Sequence, residues 1–135
     1  MVKQIIIVRK DLKISYGKFG AQVAHVFIAF LLKNDRKDIP LFDEWLKDGE
    51  TKVICSARNK TNLLKAKTIA EGLGLKENKD FWIICDLCRT ELKIEDYYED
   101  GTGYTMTCIG FRSLKDDIAD KISKKFQLFR VEGDM

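Results

Sequence analysis

The chain has 135 residues, of which 45% are apolar and 33% charged, and its formal net charge is +3. These values are typical of one globular domain, here residues 1–135, and no apolar run reaches the roughly 18–20 residues of a membrane span. A strand pattern begins within a few residues of Met1, so we expect no charged and apolar leader. We therefore expect a cytoplasmic protein without a membrane segment.

The charge is unevenly distributed along the chain. Residues 1–20 hold five cations against one acid, a net of +4, whereas residues 91–100 hold five acids against one cation, a net of −4. The basic segment surrounds a polar helix motif described below and suits a phosphate-bearing partner. A solvated surface, with charges that serve solubility, is the alternative interpretation.

The first predicted elements are a strand and a helix. The run at 4–8, which is β-branched from Ile5 to Val8, indicates a strand that is covered on both faces. Ser15 can cap the helix that follows, whose apolar residues recur at helical spacing to residue 31. Within this helix Gly20, Ala21 and Ala24 are small enough to allow close packing on a sheet.

Strands and helices continue to alternate after this helix. A short helix follows Pro40, and after it come a strand at 52–55 and a helix capped by Asn59 or Thr61 and ended by Gly74. The next elements are a strand at 81–85, an acidic loop at 91–103 and a strand at 104–110. The last are a helix capped by Ser113 and Asp116 and an edge strand or packing segment at 126–131. This β-α-(α)-β-α-β-β-α order predicts an α/β protein, a three-layer α/β/α sandwich with a mostly parallel sheet. The connection from 85 to 104 lacks a clear crossover helix, which leaves an antiparallel fourth strand open.

Two groups of polar residues could meet at one end of this sheet. Lys18, Gln22 and His25 stand at i, i+4 and i+7 and form one polar stripe on an apolar helix. Asp86 and Thr90 follow the strand at 81–85, where α/β sheets usually place their chemistry. A lysine, a carboxylate and a hydroxyl at one crevice suggest an active site.

The four cysteines are better explained as free thiols than as a site. Cys85 and Cys88 form a C-x-x-C pair, but zinc normally needs a second close ligand pair, and Cys55 and Cys108 are isolated. A redox pair usually opens a helix, whereas Cys85 ends a strand. We therefore expect no metal site.

Several segments together carry a family resemblance. They are residues 3–12, 17–18, 21–25 and 45–49, Lys52, the group Asp86, Arg89 and Thr90, and residues 109–110. In this order they resemble the Pth2-type peptidyl-tRNA hydrolase family over most of the chain. The family usually has small residues, including glycine, where Leu87 and Cys88 stand here.

The resemblance implies a small α/β/α enzyme with a four-stranded mixed sheet. Such an enzyme would hydrolyse the ester between a peptide, or an N-blocked amino acid, and the 3′ end of tRNA. The family's catalytic lysine, aspartate and threonine would fall on Lys18, Asp86 and Thr90. The resemblance further implies a metal-independent reaction without a cofactor, and the homodimer that many members form.

Ester hydrolysis needs an activated water and a place for the developing oxyanion. Asp86 would serve as general base or would orient the water, and Thr90 would hold either of them by a hydrogen bond. Lys18 would stabilise charge on the carbonyl oxygen, helped by the amide dipoles of the helix N-terminus.

The candidate substrate-binding residues lie on the polar stripe and in the basic segment. They are Gln22, His25, Arg9, Lys10 and Arg89. His25 lies about 10 Å along the helix from Lys18, which favours a substrate contact or a structural hydrogen bond over a role as general base. The cations would meet tRNA phosphates with little sequence readout, so binding would weaken with salt.

Two other functions remain open at this point. The acidic loop and the Leu87-Cys88 pair would also suit a non-catalytic protein- or RNA-binding module on the same fold. A related hydrolase that acts on another N-blocked ester would keep Lys18 and Asp86 but show weak salt dependence.

Overall fold

The computed structural model describes residues 1–130 as a mixed sheet with helices against it. The strands are β1 (Val2–Arg9), β2 (Lys52–Ala57), β3 (Phe81–Asp86), β4 (Asp96–Tyr97), β5 (Gly103–Phe111), β6 (Leu114–Lys115) and β7 (Gln127–Leu128). The helices are α1 (Tyr16–Lys33), α2 (Phe42–Lys47), α3 (Lys60–Gly72) and α4 (Asp116–Ser123), with a 3₁₀ turn at Arg36–Asp38. The chain is thus an α/β protein, as the alternating pattern predicted.

The sheet differs from the expected one in its number of strands. The path is β3-β5-β1-β2-β7, with β4 beside β5 and β6 beside β1, so seven strands replace the expected four. β1 and β2 are parallel, but β5 lies between β1 and β3 and is antiparallel to both. The sheet is therefore mixed, and β5 is the antiparallel strand that the sequence left open. The connection from β3 to β5 contains no helix, and a parallel return usually needs a crossover helix.

The central side chains of β1 are apolar in both directions and pack into two separate cores. Ile5 and Ile7 point into a core with α3 and α4, whereas Ile6 and Val8 point into a second core with α1 and α2. These four side chains are at most 1% exposed. The run at 4–8 is therefore part of a strand that is buried on both sides, as predicted.

A close approach sets the position of α1. A Cβ atom built on Gly110 of β5 would lie 2.1 Å from a Val26 methyl group, so only glycine allows this contact. The expectation that Gly20, Ala21 and Ala24 pack on the sheet is wrong, since all three are exposed. Small residues on one helix face do not show which face is buried.

The predicted helix starts were right in two cases and wrong in one. Ser15 caps α1 by accepting from the Lys18 amide, and Asn59 caps α3 by accepting from Asn62. Ser113 does not cap α4, because its hydroxyl donates to the Pro40 carbonyl and Lys115 takes the cap position. The segment predicted at 126–131 contributes the edge strand β7 at 127–128, and its last residue lies outside the described residues.

Within residues 1–130, each helix is too short or too polar to cross a bilayer.

We predict that Gly110→Ala destabilises the protein by about 1–3 kcal/mol, because the added methyl group overpacks against Val26. Urea unfolding measures the change. Gly20→Ala is the matched control, since nothing lies within 4 Å of its new methyl group and an exposed helix gains about 0.5–1 kcal/mol from this change. A Gly110→Ala protein as stable as the wild type would contradict the close approach.

Candidate active site

Lys18 and Asp86 meet where β3 ends and α1 begins. The Lys18 Nζ atom lies 3.1 Å from Asp86 Oδ2, and the two side chains are 16% and 10% exposed. Asp86 is the last residue of β3. Lys18 lies in the first turn of α1, which is capped by Ser15. The sequence pattern predicted this meeting, and the geometry joins the two side chains in one ion pair.

Asp86 accepts hydrogen bonds on both carboxylate oxygens. Besides Lys18, the Gln22 side-chain amide donates to Oδ2 at 2.9 Å, and the Cys88 backbone amide donates to Oδ1 at 2.7 Å. The bond from Cys88 closes an Asx turn, in which Cys88 takes a left-handed conformation with φ of 59°. This conformation favours glycine, so Cys88 occupies a backbone position that other residues rarely adopt.

The hydrogen bonds keep Asp86 ionised. Burial alone would raise the pKa of the Asp86 carboxyl. The bonds from the Cys88 amide and from the side chains of Gln22 and Lys18 outweigh burial, and the pKa lies below its ordinary value. Lowering the pKa of a carboxyl makes its carboxylate a weaker base, so Asp86 is better suited to orienting a water than to removing a proton from it outright.

Gln22 is a support of Asp86 rather than a surface contact. It is fully buried, and its Oε1 accepts from the Thr107 hydroxyl at 2.7 Å while its Nε2 faces Asp86. The amide orientation is unambiguous, because a carboxylate only accepts hydrogen bonds. This burial corrects the expectation that Gln22 binds substrate directly.

Thr107 is a site residue that sequence reasoning missed. The register of β3 with β5 shifts here: Ile84 pairs with Cys108 and Cys85 with Met106, which leaves Thr107 as the extra residue. A bulge of this kind re-aims a side chain and is common beside active sites. The available signal was a threonine inside an otherwise apolar part of the strand.

A groove of about 690 Å³ extends from the ion pair between α1 and the edge strand β3. Thr90, His25 and Arg89 line this groove together with Lys18 and Asp86. Thr90 is exposed, and within residues 1–130 no hydrogen bond joins it to Asp86. The structure therefore brings five of the predicted site residues to one groove, with the polar pair at its end.

The two cations at the end of β1 have different surroundings. Arg9 is 3% exposed and binds Asp11, Glu95 and the Met106 carbonyl, so the expectation that it meets a phosphate is wrong. Lys10 is exposed and lines a separate cavity beside β2. The charge of Arg9 is therefore paired inside the protein, and Lys10 belongs to a different surface.

The acidic loop is bound to the body of the protein. Glu95 forms a two-point ion pair with Arg9, and Asp96 of β4 lies 2.6 Å from Lys60. Glu91 accepts from both the amide and the hydroxyl of Ser15, and the hydrogen bond from the amide holds the pKa of its carboxyl below the ordinary value. Glu91 thus ties the loop after Asp86 to the start of the helix that carries Lys18.

The cysteines are free thiols, as the pattern predicted. Burial raises the pKa of Cys85, which lines the groove, and a raised pKa keeps a thiol in its unreactive protonated form near neutral pH. Among residues 1–130, no three His, Cys, Asp or Glu side chains are grouped to hold a metal ion.

Comparison with known proteins gives a match over nearly the whole chain. The family described as peptidyl-tRNA hydrolase PTH2 matches residues 2–129. A peptidyl-tRNA hydrolase of Methanopyrus kandleri is 34% identical over 130 residues, which cover 96% of this chain and 100% of that protein. One of Thermococcus onnurineus is 31% identical, covering 93% and 96%, and one of Thermoplasma acidophilum is 30% identical, covering 95% and 99%.

The matched range includes β1, the whole of α1 and the turn after β3, so it contains both halves of the ion pair. By this match, the chain belongs to the peptidyl-tRNA hydrolase PTH2 family.

Proposed function

We propose that this protein hydrolyses the ester between a peptide, or an N-blocked amino acid, and the 3′ end of tRNA, and thereby recycles the tRNA. The observation that carries the proposal is the Lys18–Asp86 pair at the end of an open groove, in a chain whose relatives are named peptidyl-tRNA hydrolases. The groove is long enough to hold more than the reacting carbonyl.

Lys18 supplies the positive charge for the transition state. One of its three N–H groups faces Asp86, and the other two are available to a carbonyl oxygen that becomes an oxyanion. Lys18 lies in the first turn of an 18-residue helix, whose amide dipoles add to the positive potential at the same point. Fixed charges of this kind need no reorganisation during the reaction.

Asp86 orients both Lys18 and the attacking water. Its Oδ2 atom accepts from Lys18 and Gln22, while Oδ1 accepts only from the Cys88 amide among residues 1–130 and keeps a lone pair for water. The Thr90 hydroxyl lines the same groove and would hold this water from the other side. His25 and Arg89 would contact the nucleotide end of the substrate.

The proposal includes the finer points that the family resemblance implied. The two cores around the four long strands support a three-layer α/β/α arrangement. Because Lys18 and the helix dipole supply positive charge, we propose a metal-independent reaction. A homodimer and a cytoplasmic location are also part of the proposal.

We predict that Lys18→Met and Asp86→Asn each lower the rate of hydrolysis by about 10²–10³-fold, the usual effect of losing one preorganised group. The assay is release of a labelled N-acetyl-aminoacyl group from tRNA with EDTA present, which tests metal independence as well. Matched controls are Lys47→Met and Asp48→Asn, two exposed positions outside the groove. A folded wild-type protein without hydrolysis would favour a binding module or another substrate.

We predict that Gln22→Met and Thr107→Val move the acid limb of the kcat/KM profile to higher pH. Both changes weaken hydrogen bonds that hold the Asp86 pKa low, so the carboxylate is protonated at a higher pH in the variants. Thr107→Ser keeps the hydroxyl and is expected to retain the wild-type profile. If the acid limb of the kcat/KM profile stays at the same pH in both variants, Gln22 does not position Asp86.

We predict that the wild type loses stability on acidification more steeply than Asp86→Asn. The pKa of Asp86 is lower in the folded than in the unfolded chain, so its stabilising contribution is present above the unfolded value of about 3.9 and is lost as pH falls through the folded value. Urea unfolding from about pH 6 down to about pH 2 measures this difference. Parallel pH dependence of the two proteins would contradict the lowered pKa.

A further inference from the structure

A second surface of the protein is rich in unpaired positive charge. Two adjoining cavities of about 340 and 390 Å³ lie at the carboxyl end of β2, and five exposed cations line them. These cations, here called the basic surface, are Lys10, Arg58, Lys65, Lys124 and Lys125. None of the five lines the groove at Lys18 and Asp86.

The fold leaves the charge of the basic surface uncompensated. Within residues 1–130, no acidic residue lines either cavity and none of the five side chains forms an ion pair. Arg9 and Lys60, by contrast, lie close to acids and are paired, with Glu95 and with Asp96. Cations collected around concave surface without acids favour an anionic partner.

A buried amide between the two cavities adds hydrogen-bond donors. Asn62 lines both cavities and is only 7% exposed. Its Oδ1 atom accepts from the Arg58 backbone amide at 2.9 Å, which leaves its NH₂ group without a partner among residues 1–130. This NH₂ group is not sealed from solvent, so it can donate to an acceptor that enters the cavities.

The basic surface lies on the same edge of the sheet as the active site. Val8 pairs with Ser56 on one side and with Cys108 on the other, and Cys108 pairs in turn with Ile84. The positions two residues later, Lys10, Arg58 and Asp86, are therefore nearly level at the carboxyl ends of three strands. Three strand spacings of about 4.8 Å put β2 roughly 14 Å from β3.

We propose that the basic surface binds the phosphodiester backbone of the tRNA acceptor stem while the 3′ end reaches Lys18 and Asp86. The inference rests on the proposed function, which places the 3′ end in the groove. RNA backbone is favoured because it offers a row of phosphates that can contact cations along one edge of the sheet, and phosphate oxygens accept from amide donors such as Asn62. The surface recognises the charge and shape of the RNA backbone and does not recognise the bases.

The test neutralises three members of the basic surface together, in the full-length protein. Arg58→Gln, Lys124→Gln and Lys125→Gln are combined, and the matched control combines Lys37→Gln, Lys47→Gln and Lys115→Gln. The control removes the same charge at exposed positions that line neither the groove nor the two cavities. Substrates are N-acetyl-aminoacyl-tRNA and the same acyl group on the trinucleotide CCA, and binding of uncharged tRNA is measured from 50 to 300 mM salt.

We expect the basic-surface variant to lose about ten- to hundredfold in kcat/KM on the tRNA ester through KM, and far less on the CCA ester. The slope of log binding constant against log salt is expected to shrink by about 2–3, the value for three lost phosphate contacts. The control variant is expected to match the wild type in all three measurements.

Two outcomes separate this inference from the proposed function. If the wild type hydrolyses the tRNA ester and both triple variants have the same KM and salt slope, the docking surface is overturned and the function stands. If the wild type hydrolyses neither ester, the function fails, and binding of uncharged tRNA still decides whether the basic surface holds RNA: an equal salt slope in both variants overturns it.

Discussion

The Asp86 carboxylate is the point on which the site depends, because it collects donors from two elements that are far apart in sequence. α1 contributes the side chains of Lys18 and Gln22, and the turn after β3 contributes the Cys88 amide. These bonds form only if α1 lies at the correct height and angle over the sheet. The contact of Val26 with Gly110 sets that height. The hydrogen bonds from Ser15 to Glu91 hold the N-terminal end of α1 against the loop that follows Asp86.

The pairing of charges divides the surface into two kinds of region. The acids of the loop at 91–103 look in the sequence like a barrier to RNA, but Glu91, Glu95 and Asp96 are all occupied by partners on the body of the protein. Arg9 is buried in one of these pairs, and its charge is lost to any outside partner. Five exposed cations, by contrast, surround the two cavities beside β2. The distribution of available charge is thus a property of the fold.

Local signals in the sequence were sufficient for much of this architecture. Ser15 followed by an apolar helical pattern located α1, the run at 4–8 located β1, and a carboxylate directly after a buried strand located Asp86. The meeting of Lys18 with Asp86 followed, because helix N-termini and strand carboxyl ends share one edge of an α/β sheet.

What could not be predicted depends on contacts between distant residues. The insertion of β5 between β1 and β3 is a matter of strand pairing, which one chain's periodicity does not encode. The bulge that aims Thr107 at Gln22 needs the register of two strands, and the burial of Arg9 needs its partner Glu95, 86 residues away. The exposed small residues of α1 show the same limit, since their size allows close packing without requiring it.

The central claim is that Lys18 and Asp86 act as one unit. A double-mutant cycle of Lys18→Met, Asp86→Asn and their combination, measured as single-turnover hydrolysis of N-acetyl-aminoacyl-tRNA, tests it most directly. The account predicts that the double variant loses about as much rate as one single variant, because either change already breaks the pair. Losses that multiply would contradict it, since they would mean that the two side chains contribute independently.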